Sequence, residues 1–351
     1  MSFWVINLLT ALASFAIAGL SGIFLVPFLH KIKFGQPIKT KDGPQWHAKK
    51  QGTPTMGGFM FIISTIITSI GGYWIYRLNS GIDVTDSESF HPFYSFHPFY
   101  RMLSCVVFAA LFGLIGFIDD YTKVARKDND GLSPMQKIAL QLVFSVVFLF
   151  AIYKFGDGST RIDLGFWTSP SLGIFYYILM IPVIIYLTNA VNLTDGVDGL
   201  CGSVTFAAML IFTVCCSILK EYEMTYFTMA LAGGCLGFLL WNLNPAKCFM
   251  GDTGSMFLGA SVTGVSLILH KHLLMLLVAM VYIIEALSVV IQVSYFKYTK
   301  KKTGEGKRIF KMTPIHHHFE MSGFSEYKIV ITFSITGIIF GILGIITLLA
   351  F

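Results

Sequence analysis

Five aspartates and three consecutive histidines are the residues of this chain with the most chemistry to offer. Asp195 and Asp198 sit in NAVNLTDGVDGL at 189–200, between the apolar run 173–188 and another at 203–218. Each is followed by a glycine, Gly196 or Gly199, which lets the backbone turn tightly and approach a ligand closely. Asn192 and Thr194 add donors and acceptors. Asp119 and Asp120 stand side by side in FIDDYTK at the end of an apolar stretch, where two like charges are costly without a cation. Asp252, in MGDTGS, opens another such stretch, where a helix-capping aspartate is the plain alternative. An oxygen-rich set without thiolates or regular histidine spacing suits Mg²⁺ or Mn²⁺ rather than zinc. Mg²⁺ takes one or two carboxylates plus substrate phosphates, so some of the five have other work.

His316, His317 and His318 lie in TPIHHHFE. Consecutive residues cannot share one helix face, so the run predicts a loop or a helix start. Beside Lys307, Arg308 and Lys311 it reads as a phosphate-binding rim, with a solvated basic loop as the alternative. The Gly/Thr/Pro stretch 51–58, after Lys49 and Lys50, lacks the GxxxxGK[ST] spacing of a phosphate-binding P-loop. Glu285 and Gln292, in one apolar run, share a helical face and read as an inward polar pair.

The elements that must position these groups are membrane helices. The 351 residues are 55% hydrophobic and 13% charged, and the mean hydropathy is +0.70. Apolar runs near twenty residues recur along the chain, which points to one polytopic, all-α membrane domain over 1–351 rather than soluble domains. Ten spans are expected, near 3–29, 56–78, 101–118, 135–155, 171–189, 200–219, 225–242, 253–269, 273–299 and 327–350. The first follows only Met1 and Ser2, without a basic leader, and reads as a retained helix. Alternate loops, after the first, third and ninth spans, carry the Lys and Arg, and the positive-inside rule places them in the cytoplasm with both termini outside. Every acidic cluster and the histidine run fall on that side, in loops near 30–55, 119–134, 190–199, 243–252 and 300–326. The opposite side carries a duplicated FHPFY at 90–94 and 96–100, a short hairpin near 156–170 and a turn, His270-Lys271-His272, read as solvated. The six cysteines show no CxxC and read as packing residues. The net charge of +6 clusters in these loops and signals no nucleic-acid partner.

These motifs together resemble the polyprenyl-phosphate N-acetylhexosamine-1-phosphate transferases. The likeness runs from Lys49 to about Phe324 through GTPTMGG (52–58), FIDDYTK (117–123), NLTDGVDGL (192–200), FMGDTGS (249–255) and TPIHHHFE (313–320). The last motif resembles the muramoyl-pentapeptide branch rather than the GlcNAc-1-phosphate branch. The resemblance implies that undecaprenyl phosphate attacks the sugar-linked phosphate of UDP-MurNAc-pentapeptide, with Mg²⁺ required, to give lipid I and UMP. It implies Asp252 as leading metal ligand, Asp119 and Asp120 beside the lipid phosphate, and His317 among the catalytic groups. Lys50, Gly196, Asp198, Asn242 and Phe249 would form a uridine pocket, with Phe249 stacked on the base. Thr55, Asn192, Asp195, Gln292, His316 and His318 would line the phosphate and sugar region, and Lys137 would add a polar contact. It further implies a homodimer in the bacterial cytoplasmic membrane. Gly337 and Gly341 could pack that dimer or another helix of the same chain.

The rival class is a transporter of nucleotide-sugars or lipid-linked sugars. A transporter places its polar groups near mid-bilayer, often at broken helices in repeated halves. Here they crowd one face.

Overall fold

The computed structural model describes residues 1–32, 50, 52–80, 97–126, 131–156 and 158–351. Lys33, Lys39, Lys41 and Lys49 of the first basic loop and the first FHPFY copy lie outside these residues; the second copy leads into α3, which begins at His97. The helices are α1 (Phe3–Lys31), α2 (Phe59–Asn79), α3 (His97–Arg126), α4 (Pro134–Phe155), α5 (Ile174–Thr194), α6 (Leu200–Ile218), α7 (Tyr222–Asn242), α8 (Gly251–Ile268), α9 (His272–Val278), α10 (Met280–Thr303), α11 (Ile315–Glu320) and α12 (Glu326–Ala350).

Among the described residues, nine helices are long and apolar enough to cross a membrane: α1 to α7, α10 and α12. The helix at the expected eighth span, α8, is rich in Gly, Ser and Thr and is not among them. Its composition follows from its place. Every residue from Thr253 to Ile268 is buried in protein, so lipid does not select its side chains. α8 nonetheless runs the bundle from end to end, antiparallel to α3. At one end Arg101 donates to the Ile268 carbonyl at 3.2 Å. At the other the Thr253 N–H donates to Asp120 at 2.9 Å. The stretch of α3 from Arg101 to Asp120 rises about 28 Å at ~1.5 Å per residue, close to the ~30 Å hydrocarbon core of a bilayer. The expected ninth span is interrupted at Ala279, between α9 and α10. Ala279 still donates to Met275 and accepts from Ile283, so the hydrogen-bond ladder carries through.

Small residues bring these helices close, since apolar lipid leaves van der Waals fit as the main force between them. A Cβ on Gly116 of α3 would lie 2.0 Å from the Asp252 carbonyl of α8, and one on Gly259 would lie 2.8 Å from the Thr188 backbone of α5. Gly341 faces Ile211 of α6 and Gly337 faces Val204 and Val281, so this pair packs helices of the same chain. All six cysteines are free and buried.

Phe3 packs on Tyr222, and Phe351 on Phe166, which puts both termini at the end of the bundle opposite Asp119 and Asp252. The expected hairpin is there. Leu172 bonds Thr160, Ser169 bonds Ile162 and Leu164 bonds Trp167 across it. The His270–His272 turn is not simply solvated. His272 is buried, receives the Asp163 N–H at 3.1 Å and sits 3.0 Å from the Tyr176 hydroxyl, while Lys271 pairs with Asp163 at 2.7 Å. The hairpin folds over the turn, burying His272 and leaving His270 and Lys271 partly exposed.

Candidate functional site at one end of the bundle

The site forms where α8 begins. The loop leading to it pairs with the loop leading to α2: Phe249 N–H donates to Pro54, Gly57 N–H to Phe249 and Gly58 N–H to Met250. Backbones meet so closely that a Cβ on Gly58 would lie 2.4 Å from the Gly254 Cα. Gly251 takes φ +71°, and a Cβ there would lie 2.4 Å from an Asp120 oxygen. GTPTMGG and FMGDTGS are thus two halves of one backbone junction, and their glycines serve its closeness.

Asp252 does not cap its own helix. Asp120, reaching across from α3, accepts the Asp252 N–H at 3.2 Å, the Thr253 N–H at 2.9 Å and the Thr253 hydroxyl at 2.8 Å. Two of the orphan donors in the first turn of α8 are thus satisfied from outside the helix. That leaves the Asp252 carboxylate free to point into the cleft. Its Oδ1 accepts from Asn192 at 3.1 Å, and its Oδ2 lies 2.6 Å from Lys137 Nζ and 3.4 Å from Lys123 Nζ. Asp119 Oδ1 accepts the Leu132 N–H at 2.8 Å. Asp119 Oδ2 has Lys123 at 2.6 Å and Lys137 at 3.1 Å but no well-directed hydrogen bond. Lys137 is held in the first turn of α4 by a capping box, Ser133 with Gln136, behind Pro134. Thr55, with an unpartnered buried hydroxyl, borders Gly251.

Oxygen atoms of Asp119, Asp120 and Asp252 all lie within 4.8 Å of one another, so this hard-ligand set fits a divalent cation of the Mg²⁺ type. Asp119 and Asp252 are the freer ligands, because Asp120 already holds the start of α8. Lys123, the last residue of FIDDYTK, belongs to the cluster as well. Its position four residues after Asp119 puts both on one helical face, which was the available signal.

A second cluster surrounds Asp198. Its Oδ1 pairs with Lys50 at 2.7 Å, and its Oδ2 accepts from Asn244 at 3.2 Å and from the Ala246 N–H at 2.9 Å. Glu326, at the start of α12, pairs with the same Lys50 at 2.7 Å and accepts the Asp198 N–H at 3.1 Å. Nothing near Glu326 in the chain marks it as a site residue. Asn242 is a latch: it accepts the Gly199 N–H at 3.0 Å and donates to the Cys248 carbonyl at 2.9 Å. Phe249 is half-buried at the junction described above.

The histidines do not form one rim. His316 is fully buried, with Nδ1 3.0 Å from Glu285, itself fully buried. His317 lies 2.6 Å from Glu320, and His318 accepts the Lys311 N–H at 3.1 Å. The three rings face three ways because α11 begins at Ile315 and turns them successively. Gln292 does not pair with Glu285. Its amide holds the chain at Ile309 and Phe310, with bonds of 2.9 to 3.0 Å. His316 Nε2 instead abuts Gly196: a Cβ there would lie 2.2 Å from it. Gly196→Ala is therefore expected to push the ring and the 195–199 loop apart, lowering turnover at least tenfold while the bundle stays folded; wild-type turnover would show that the ring yields freely.

Asp195, partly buried between α5 and α6, lies between the two clusters. Burial pushes its carboxyl well above the usual range, and the carboxylates of Asp252, Asp120 and Asp198 add to the rise. A bound divalent cation would oppose that rise.

A family description, glycosyl transferase family 4, matches residues 102–270. The chain is 44% identical over 338 residues to the phospho-N-acetylmuramoyl-pentapeptide-transferase of Clostridium botulinum (strain Alaska E43 / Type E3), covering 96% of this chain and 95% of that one. It is 42% identical to that of Carboxydothermus hydrogenoformans, covering 93% and 94%, and 40% identical to that of Bacillus subtilis (strain 168), covering 96% of each. With this identity over nearly the whole length, the chain belongs to the phospho-N-acetylmuramoyl-pentapeptide-transferase family.

Proposed function

We infer that this enzyme transfers phospho-MurNAc-pentapeptide from UDP-MurNAc-pentapeptide to undecaprenyl phosphate, giving lipid I and UMP in peptidoglycan synthesis. The observation that carries the reading is the 40–44% identity, over almost the entire chain, to relatives named for this transfer. The site's chemistry supports it. A lipid acceptor and a soluble, diphosphate-bearing donor need a polar cleft at the membrane edge, and both clusters lie at one end of the bundle rather than along a path through it.

Asp119 and Asp252, with Asp120, would hold Mg²⁺, or Mn²⁺ in its place. Such an ion supplies charge neutralisation on the diphosphate and the leaving phosphate. Lys123 and Lys137 keep the carboxylates in place and offer positive charge to the same phosphates. Asn192 orients Asp252. Asp119, bonded by an N–H and flanked by two ammonium groups, would act mainly by positioning the ion and the acceptor. The acceptor needs little help, since a phosphate monoester with second pKa near ~6 is already mostly dianionic at neutral pH. Lys50, Asp198 and the Phe249 ring would receive the uridine. The acidic end would face the cytoplasm of a bacterial inner membrane, because Lys123, Arg126, Lys300, Lys301 and Lys302 flank it. We extend the reading to a homodimer on the family resemblance; a single-chain mass in detergent by light scattering would sink that extension.

The test is UMP release by purified protein given undecaprenyl phosphate and either UDP-MurNAc-pentapeptide or UDP-GlcNAc. Release with the first donor is expected; release with UDP-GlcNAc alone would overturn the reading. Phe249→Ala should weaken donor binding by roughly ten- to a hundredfold, the scale of ~1–3 kcal/mol for a base stacked on an aromatic ring. Unchanged donor affinity would move the base elsewhere.

A further inference from the structure

The Lys50–Asp198–Glu326 cluster has an unusual charge balance. One ammonium faces two carboxylates, each at 2.7 Å. Asp198 is already largely engaged, since Lys50 takes one oxygen and Asn244 and the Ala246 N–H share the other. Glu326 Oε2 serves two donors, Lys50 Nζ and the Asp198 N–H. Tyr327, the next residue, donates its hydroxyl to the Asn244 carbonyl, so the start of α12 is pinned to the same loop that grips Asp198.

An ammonium has three N–H donors, and two of these are committed. One remains, on a side chain still 17% exposed. The cluster as a whole is acidic, so it repels a diphosphate but accepts a neutral group that offers a carbonyl. The diphosphate belongs at the other cluster, where Lys123 and Lys137 lie. The arrangement therefore sorts the two ends of a nucleotide donor by charge.

We propose that Glu326 is a positioning residue for the nucleoside end of the donor: it holds Lys50 against Asp198 so that the remaining Lys50 N–H meets a base carbonyl. This rests on the uridine reading of the site given above. Glu326 acts through Lys50, and the start of α12 thereby becomes part of the donor pocket.

The experiment compares Glu326→Gln, Lys50→Met and the double variant with the wild type. The amide keeps shape and removes the charge, and Ser325 still caps α12 through the Lys328 N–H. Glu326→Gln should raise the KM for UDP-MurNAc-pentapeptide and the inhibition constant of UMP together, about tenfold each, with kcat within about twofold, in line with losing a hydrogen bond to a charged group. The KM for undecaprenyl phosphate and the Mg²⁺ requirement should not move. The double variant should be no worse than Lys50→Met alone, because one residue works through the other. A donor KM and UMP inhibition within twofold of wild type would overturn the proposal, as would equal damage to donor and acceptor KM, or additive losses in the double variant. If wild-type protein released no UMP, the uridine reading itself would fall, which is a different result from any of these.

Discussion

Asp252→Asn is expected to lower UMP release by roughly 10³-fold or more, on the scale of losing a main electrostatic stabiliser of a phosphoryl transfer. The fold should survive. The amide keeps the side chain's size, Asn192 can still bond it, and Lys123 and Lys137 retain Asp119 at 2.6 and 3.1 Å. Thermal unfolding should therefore stay near wild type while activity vanishes. Chelation should silence the wild type equally, and added Mg²⁺ or Mn²⁺ should restore it. Asp119→Asn should weaken the dependence on metal, and its defect should persist at about pH 9; recovery there would make Asp119 a base. Full activity of Asp252→Asn in excess chelator would remove the metal from the mechanism altogether.

Gly116→Ala should be strongly damaging for the addition of a single methyl. The new Cβ would meet the Asp252 carbonyl oxygen at 2.0 Å, its carbon at 2.3 Å and the Thr253 nitrogen at 2.5 Å. All three are backbone atoms at the start of α8, so no rotamer change can relieve them. Either α3 and α8 separate or the first turn of α8 distorts. Overpacking typically costs ~1–3 kcal/mol. The same displacement moves Asp252 relative to Asp119, and a shift of about 1 Å in a reacting geometry can cost 10²-fold. Lower thermal stability and at least a hundredfold loss of UMP release are expected together. Gly71→Ala, on α2 with nothing within 4 Å of its Cβ, is the control and should be neutral or slightly stabilising. A Gly116→Ala protein as active and stable as Gly71→Ala would show that the helix contact is far softer than its distances.

Some of this was legible without coordinates, for reasons that are local or additive. Apolar runs long enough to span a bilayer declare membrane helices, because an unpaired backbone polar group in lipid is too costly for other forms. Parity along the chain then put Asp119, Asp195, Asp252 and His316 on one side, and the structure gathers them at one end. The motifs marked which segments to watch. α8 showed the limit of the same reasoning: its Gly, Ser and Thr lower its hydropathy because its neighbours are helices, which hydropathy cannot register.

What each polar side chain does was decided only by tertiary structure. Asp119 and Asp120 are adjacent and alike in sequence, yet one faces two lysines and the other caps a helix 132 residues on. Which does which depends on the turn of α3 that meets α8. His316, His317 and His318 read as one basic run, but Glu285 draws the first into the interior while the next two turn elsewhere. Glu326 carries no signal at all, because its partner Lys50 lies 276 residues away. Burial and pairing set the charge, reach and availability of such groups, and both are properties of neighbours in space. Residue type and spacing could name the chemistry available to this chain; which carboxylates were free to do it depended on contacts that only the packed helices create.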